Sequence, residues 1–243
     1  YFYCSLTQNL TCMRKIIFLS FSFFLFYSTD AQQCRFEKTN GLESATYFEA
    51  IDWYKNLDKI STKVLVKEMG MTDAGYPLHL VLVSNDGKFD AAQWHKQYKA
   101  VILINNGIHP GEPDGIDASM MLVRDIVNNK VKLPDNVALG FIPVYNIGGC
   151  LNRNSYSRAN QEGPKEYGFR GNAQNLDLNR DFTKSDSKNA KSFAQIFHWL
   201  DPDILIDNHV SDGADYQHTM TMLTTQYDKL GTDLGGWLKD KFE

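Results

Sequence analysis

The chain has 243 residues, 25 basic and 29 acidic, for a formal net charge of −4 at neutral pH. That mildly acidic balance offers no attractive field to nucleic acid or to an anionic membrane surface, so neither is expected as a partner. Hydrophobic residues make up 43% of the chain, which excludes a disordered polymer and suits a folded core.

Residues 1–12 precede the first methionine, Met13, and are read as translated upstream sequence. Met13-Arg14-Lys15, the apolar run IIFLSFSFFLFY and the following STDAQQ have the order of an export signal, 13–31, ending at the small residue Ala31. The run is too short to cross a bilayer, so no stable membrane insertion is expected once the signal is removed. The protein is therefore expected to be exported, either periplasmic or secreted. What remains, 32–243, is long enough for one domain with a sizeable core. Cys34 and Cys150 lie in this part; export permits a bridge between them, and two free thiols are the alternative.

Within 44–59, SATYFEAIDWYKNLDK, apolar residues recur at helical spacing (Tyr47, Ile51, Tyr54, Leu57) behind a serine suited to a cap. YPLHLVLVS at 76–84 reads as a strand followed by the turn Asn85-Asp86-Gly87. KAVILINN at 99–106 is a continuous apolar run, the pattern of an interior strand covered on both faces. A helix is expected at 117–127, interior strands at 137–146 and 203–210, and a helix over 187–199. A further strand at 217–225 and a helix at 226–240 complete the pattern. Strands alternating with helices predict an α/β three-layer sandwich, with a mixed, mostly parallel sheet and helices on both faces. Segment 147–176, rich in Gly, Asn and Arg, has no clear period and reads as a long functional loop.

The stretch INNGIHPGEPDG at 104–115 puts His109 and Glu112 just beyond a strand, where ligands sit in open α/β folds. Of six histidines, only His109 and His209 close interior strand patterns. Two imidazoles and a carboxylate are a ligand set for one catalytic zinc ion, with a fourth position left open. Spacing alone makes this a modest case, since an isolated HxxE is common and a strand-end histidine often just bonds a backbone carbonyl.

HPGE at 109–112, LDLNRDF at 176–182 and IDNH at 206–209 resemble, in this order, the motifs of the zinc carboxypeptidase (peptidase M14) family. The resemblance runs over roughly 44–243. It implies His109, Glu112 and His209 as the ligands of a single Zn²⁺, and Asp177 as the carboxylate that holds the His109 ring. It implies Asn179 and Arg180 as the grip on a substrate's terminal carboxylate, for which a guanidinium offers two parallel hydrogen bonds. Arg158 is the choice for the arginine that polarises the scissile carbonyl, with Arg153 as its rival. The implied function is hydrolysis of the last peptide bond of a peptide with a free C-terminus. Alternatives are a zinc deacylase of the succinylglutamate desuccinylase or aspartoacylase type, and a zinc-binding domain without catalysis.

Two departures stand out. Gly111 occupies the place where some family members carry an arginine. The family's general-base glutamate, its closing tyrosine and its specificity pocket have no match after His209, and are expected in sequence beyond residue 243. In that case 32–243 is the N-terminal and central part of the catalytic domain, inactive alone. Were the base within this chain, Asp212 would be the first candidate.

Overall fold

A computed structural model describes residues 32–211 and 213–242; the expected signal at 13–31, the residues ahead of it and Asp212 lie outside the described residues. In chain order the first unit, Tyr1–Val210, contains α1 (Arg35–Lys38), α2 (Tyr47–Ile60), β1 (Val64–Met71), β2 (Pro77–Val83), α3 (Ala91–Lys96) and β3 (Ala100–Asn105). It continues with α4 (Asp114–Val127), β4 (Val137–Ile142), α5 (Ile147–Leu151), α6 (Lys188–Leu200) and β5 (Ile204–Asp207). The second unit, Ser211–Glu243, contains α7 (Gly231–Trp237), continued by a π-turn at Leu238–Phe242.

Local chemistry sets the helix ends. Thr46 caps α2 by accepting from the Glu49 N–H, and Glu49 reaches back to the Thr46 N–H, a reciprocal capping box. The expected apolar stripe, Tyr47, Ile51, Tyr54 and Leu57, is buried. Ser187 caps α6 through the Ala190 N–H, and the helix stops where Asp201 turns left-handed at φ 48°.

The five strands form one sheet in the order β1-β2-β4-β3-β5. β1 with β2 and β2 with β4 run antiparallel, while β4 with β3 and β3 with β5 run parallel. Because strand side chains alternate, β2 sends Val81 and Val83 to one face and Leu78, Leu80 and Leu82 to the other. The first face packs on α2 and α4 through Tyr54, Leu57, Met120 and Val123; the second packs on α3 and α6 through Trp94, Phe193, Ile196 and Leu200. Helices on both faces of a mixed sheet make the expected α/β three-layer arrangement.

Two strand readings need correction. Segment 217–225 forms no strand and is largely exposed, Met220 at 84% and Leu223 at 95%. Its alternation of threonine and methionine resembles strand patterning without forming a strand. β5 was expected inside the sheet, yet among the described residues it is an edge strand paired with β3 alone, with Ile204, Leu205 and Ile206 exposed at 51, 41 and 43%. An apolar run reports that a strand suits cover on both faces, not which element provides it. The pairing left open for the cysteines is also answered: Cys34 and Cys150 are buried free thiols within one core. Burial pushes each thiol up to about 11, as expected of cysteines that pack and do not react. Among the described residues no helix is long and apolar enough to cross a membrane.

Candidate metal centre

The parallel pairing of β3 with β5 sets Asn105 opposite Asp207. Chain leaving the two strands therefore emerges side by side at one end of the sheet, carrying His109 four residues on and His209 two residues on. A run of asparagines ties the exits together. Asn105 Nδ2 donates to Asp207 Oδ1 at 2.9 Å, Asn208 N to the Asn105 carbonyl at 3.0 Å, and Asn208 Nδ2 to Asn106 Oδ1 at 2.7 Å. Gly107 turns the chain at φ 63°, a left-handed conformation that disfavours other residues. The Glu112 N–H donates to the His109 carbonyl at 2.8 Å, closing a turn that puts both side chains on one side.

His109, Glu112 and His209 converge so that their ligand atoms all lie within 4.8 Å of one another. His109 Nδ1 is 3.1 Å from Glu112 Oε1, and His209 Nδ1 is 3.0 Å from Glu112 Oε2. Ligands about 2.0–2.2 Å from a tetrahedral ion stand roughly 3.4 Å apart, so little adjustment is needed to hold one. Both rings turn their other nitrogen to an aspartate: His109 Nε2 lies 3.1 Å from Asp177 Oδ1, and His209 Nε2 lies 3.2 Å from Asp207 Oδ2. An Nε2–H donated outward leaves the Nδ1 lone pair for a cation, which is the polarity a metal site requires. On chemistry and geometry these residues fit a zinc ion.

The electrostatics agree. Asp207 first, then Glu112, raise the His209 pKa to about 10. Burial acts to raise the Glu112 pKa, but hydrogen bonds from His109, His209 and the Val210 N–H outweigh it and hold the carboxyl well below its ordinary range. A buried carboxylate this stable needs donors and positive charge around it, supplied here by the two histidines, the Val210 N–H and Arg158.

The loop beyond β4 brings the rest. Asn146 caps α5 and its Nδ2 donates to the Arg170 carbonyl at 2.9 Å, while Gly168 N donates to the Pro110 carbonyl at 3.1 Å. Arg153 pins the loop from outside, donating to the carbonyls of Ser44, Ala45 and Glu166. Of the two rival arginines, Arg153 is thus a latch, whereas Arg158 reaches the cluster: its Nη2 is 3.0 Å from Glu112 Oε1. Asp177 precedes a short 3₁₀ turn, Leu178–Arg180, and accepts from the Asn179 N–H at 3.0 Å. Buried Leu178 anchors the turn in the core, Asn179 is half-buried and Arg180 is exposed.

Two residues here escaped the sequence reading. Asp207 shares a strand face with His209 by the alternation of D-x-H, a signal that was available. Arg170 had no such signal. Its Nε and Nη2 each lie 3.0 Å from Asp177 Oδ2, and its Nη1 lies 3.5 Å from His109 Nδ1.

The family model for zinc carboxypeptidases matches residues 50–199, more than half of the chain. The chain belongs to the zinc carboxypeptidase family. Similar solved structures include a metallo-carboxypeptidase from Burkholderia cenocepacia, with 18% identity and a TM-score of 0.54, covering 76% of this chain and 48% of that one. Bovine thrombin-activatable fibrinolysis inhibitor, solved with a tick carboxypeptidase inhibitor, has 17% identity and a TM-score of 0.52, covering 69% of this chain and 60% of that one. At these identities the likeness speaks for the fold, and the chain spans less than two thirds of the length of either protein. A comparison with curated proteins finds no match. This family binds zinc and acts on peptides.

Proposed function

We propose that this protein is an exported zinc-dependent metallocarboxypeptidase that removes the last residue of peptides with a free C-terminus. The observation that carries the reading is the convergence of His109, Glu112 and His209 within 4.8 Å, backed by an aspartate behind each histidine. In this site zinc would supply Lewis acidity toward a carbonyl and a water molecule.

The chain's own residues would do the rest. Asp177 and Asp207 orient the imidazoles and hold their tautomers. Asn179 and the exposed Arg180 would take the substrate's terminal carboxylate, which excludes substrates lacking one. The role of steadying the carbonyl oxygen was expected of Arg158. We assign it instead to Arg170, because that guanidinium is anchored on Asp177 yet 39% exposed and within 3.5 Å of His109 Nδ1. Arg158 is only 11% exposed, its stem packed over Gly111. Among the described residues, the carboxylates bonded to the ligand cluster all have partners: Glu112 has both histidines, Asp177 has His109 and Arg170, and Asp207 has Asn105 and His209. We therefore propose that a carboxylate outside this group acts as the base.

The test uses the full-length protein with zinc and matched peptides carrying a free or an amidated C-terminus. The free peptide is expected to be cleaved and the amidated one spared. Arg180→Ala should lower kcat/KM on the free peptide by about 30-fold or more, since stripping one partner from a desolvated charge pair costs about 2 kcal/mol or more. Equal cleavage of the two peptides by the unmutated protein refutes carboxylate selection.

A further inference from the structure

We propose that Arg158 is a built-in counter-ion that occupies Glu112 in the metal-free protein and must leave it for zinc to bind, so that this arginine sets the affinity of metal loading. The inference rests on the functional reading above and deepens it.

Four observations carry it. Arg158 Nη2 lies 3.0 Å from Glu112 Oε1, the oxygen that also faces His109 Nδ1 at 3.1 Å. The guanidinium thus sits on an atom of the ligand set and not on its rim. The glutamate is buried, 3% exposed, and the arginine is mostly covered at 11%, so the contact is no loose surface pair. The arginine also has a made place. A Cβ at Gly111 would stand 2.6 Å from Arg158 Cδ and 2.9 Å from the Gly168 carbonyl oxygen. Its aliphatic stem therefore fills the space that a side chain between His109 and Glu112 would claim. Finally, the loop delivering it is tied down on both sides. Arg158 N donates to the Tyr167 hydroxyl at 3.3 Å, Gln161 Nε2 donates to the Gly111 carbonyl at 2.9 Å, and Asn154 pairs with Tyr167.

The competition follows from charge. A carboxylate buried among low-dielectric walls needs a positive neighbour, and in the metal-free state the guanidinium is one. A dication bound to Glu112 supplies that charge in full. The two cations would then share one oxygen and repel each other strongly where water does not screen them. Whatever stabilises the metal-free state is subtracted from zinc binding, so removing the arginine should tighten the metal while weakening the empty protein.

Zinc affinity of the full-length protein, stripped and titrated with zinc against a chromophoric chelator, tests this. R158Q keeps the packing over Gly111 without the charge; it should bind zinc about tenfold tighter, and its metal-free form should melt lower. R158K keeps the charge and should stay within about threefold of the unmutated protein. A second measurement needs no variant: an arginine-selective dicarbonyl reagent, read by mass spectrometry, should label Arg158 several-fold more in the zinc-loaded than in the metal-free protein. R158Q binding zinc equally or more weakly, or Arg158 labelling that zinc leaves unchanged, overturns the counter-ion role alone. Failure of the unmutated protein to bind zinc overturns the functional reading, and this inference with it.

Discussion

Asp177 offers a demanding test, because one carboxylate serves two parts of the site. Its Oδ1 takes His109 Nε2 at 3.1 Å and the Asn179 N–H at 3.0 Å; its Oδ2 takes Arg170 Nε at 3.0 Å. Asp177→Asn keeps the shape but leaves one acceptor oxygen for donors on both sides. Whichever way the amide turns, its NH₂ faces either the imidazole N–H or the guanidinium. The outer partner of a ligating histidine is typically worth 10- to 100-fold in metal affinity, about 1.4–2.7 kcal/mol. The upper part of that range applies here, because the side chain is only 28% exposed and its hydrogen bonds are charge-assisted. Chelator competition on the full-length protein should show zinc bound at least about 30-fold more weakly by D177N, with kcat falling further because Arg170 loses its anchor. D177N binding zinc within about twofold of the unmutated protein would refute the reasoning, since the imidazole would then need no such partner.

Other expectations follow from the same structure. Leu103→Ala, at a fully buried point of β3, should cost about 2–5 kcal/mol in denaturant unfolding. A loss under about 1 kcal/mol would mean the sheet centre is loosely packed. Gly149→Ala drives a Cβ into the Phe169 carbonyl, one residue before Arg170. It should lower turnover more than it lowers the melting temperature, and unchanged kinetics would count against the role of Arg170. Arg153→Met should make 147–176 quicker to proteolyse while zinc affinity stays within about threefold, because its bonds are to loop backbone and not to the ligands. A collapse of zinc affinity in that variant would contradict its assignment as a latch.

How much of this was legible in the sequence depends on the distance over which each feature is determined. His109, Glu112 and His209 could be read because a strand end is a local feature, and two parallel strands deliver their ends to one place. The helix Tyr47–Ile60 was legible for the same reason, its apolar stripe being local, although the cap expected at Ser44 is Thr46, whose hydroxyl can reach the Glu49 N–H. β1 was not read: Lys67, Glu68 and Gly70 interrupt its apolar residues, and among the described residues it is an edge strand that leaves these positions partly exposed. The register of the long loop was hidden because distant backbone partners fix it. Asn146 holds the Arg170 carbonyl and Pro110 holds Gly168, and neither contact leaves a period in the chain. Arg158 was placed near the chemistry, but its pairing with Glu112 depends on a glycine 47 positions earlier leaving room. Asp207 could have been found from the alternation of its strand, and was passed over because the motif drew attention to the histidine alone.

The most direct test of the central claim is zinc stoichiometry on the purified full-length protein, by elemental mass spectrometry after dialysis. The account predicts one zinc per chain, and loss of that zinc in each of H109A, E112Q and H209A while circular dichroism shows the fold retained. Zinc kept at full stoichiometry by H209A, or an unmutated protein that holds none when zinc is supplied, would contradict it.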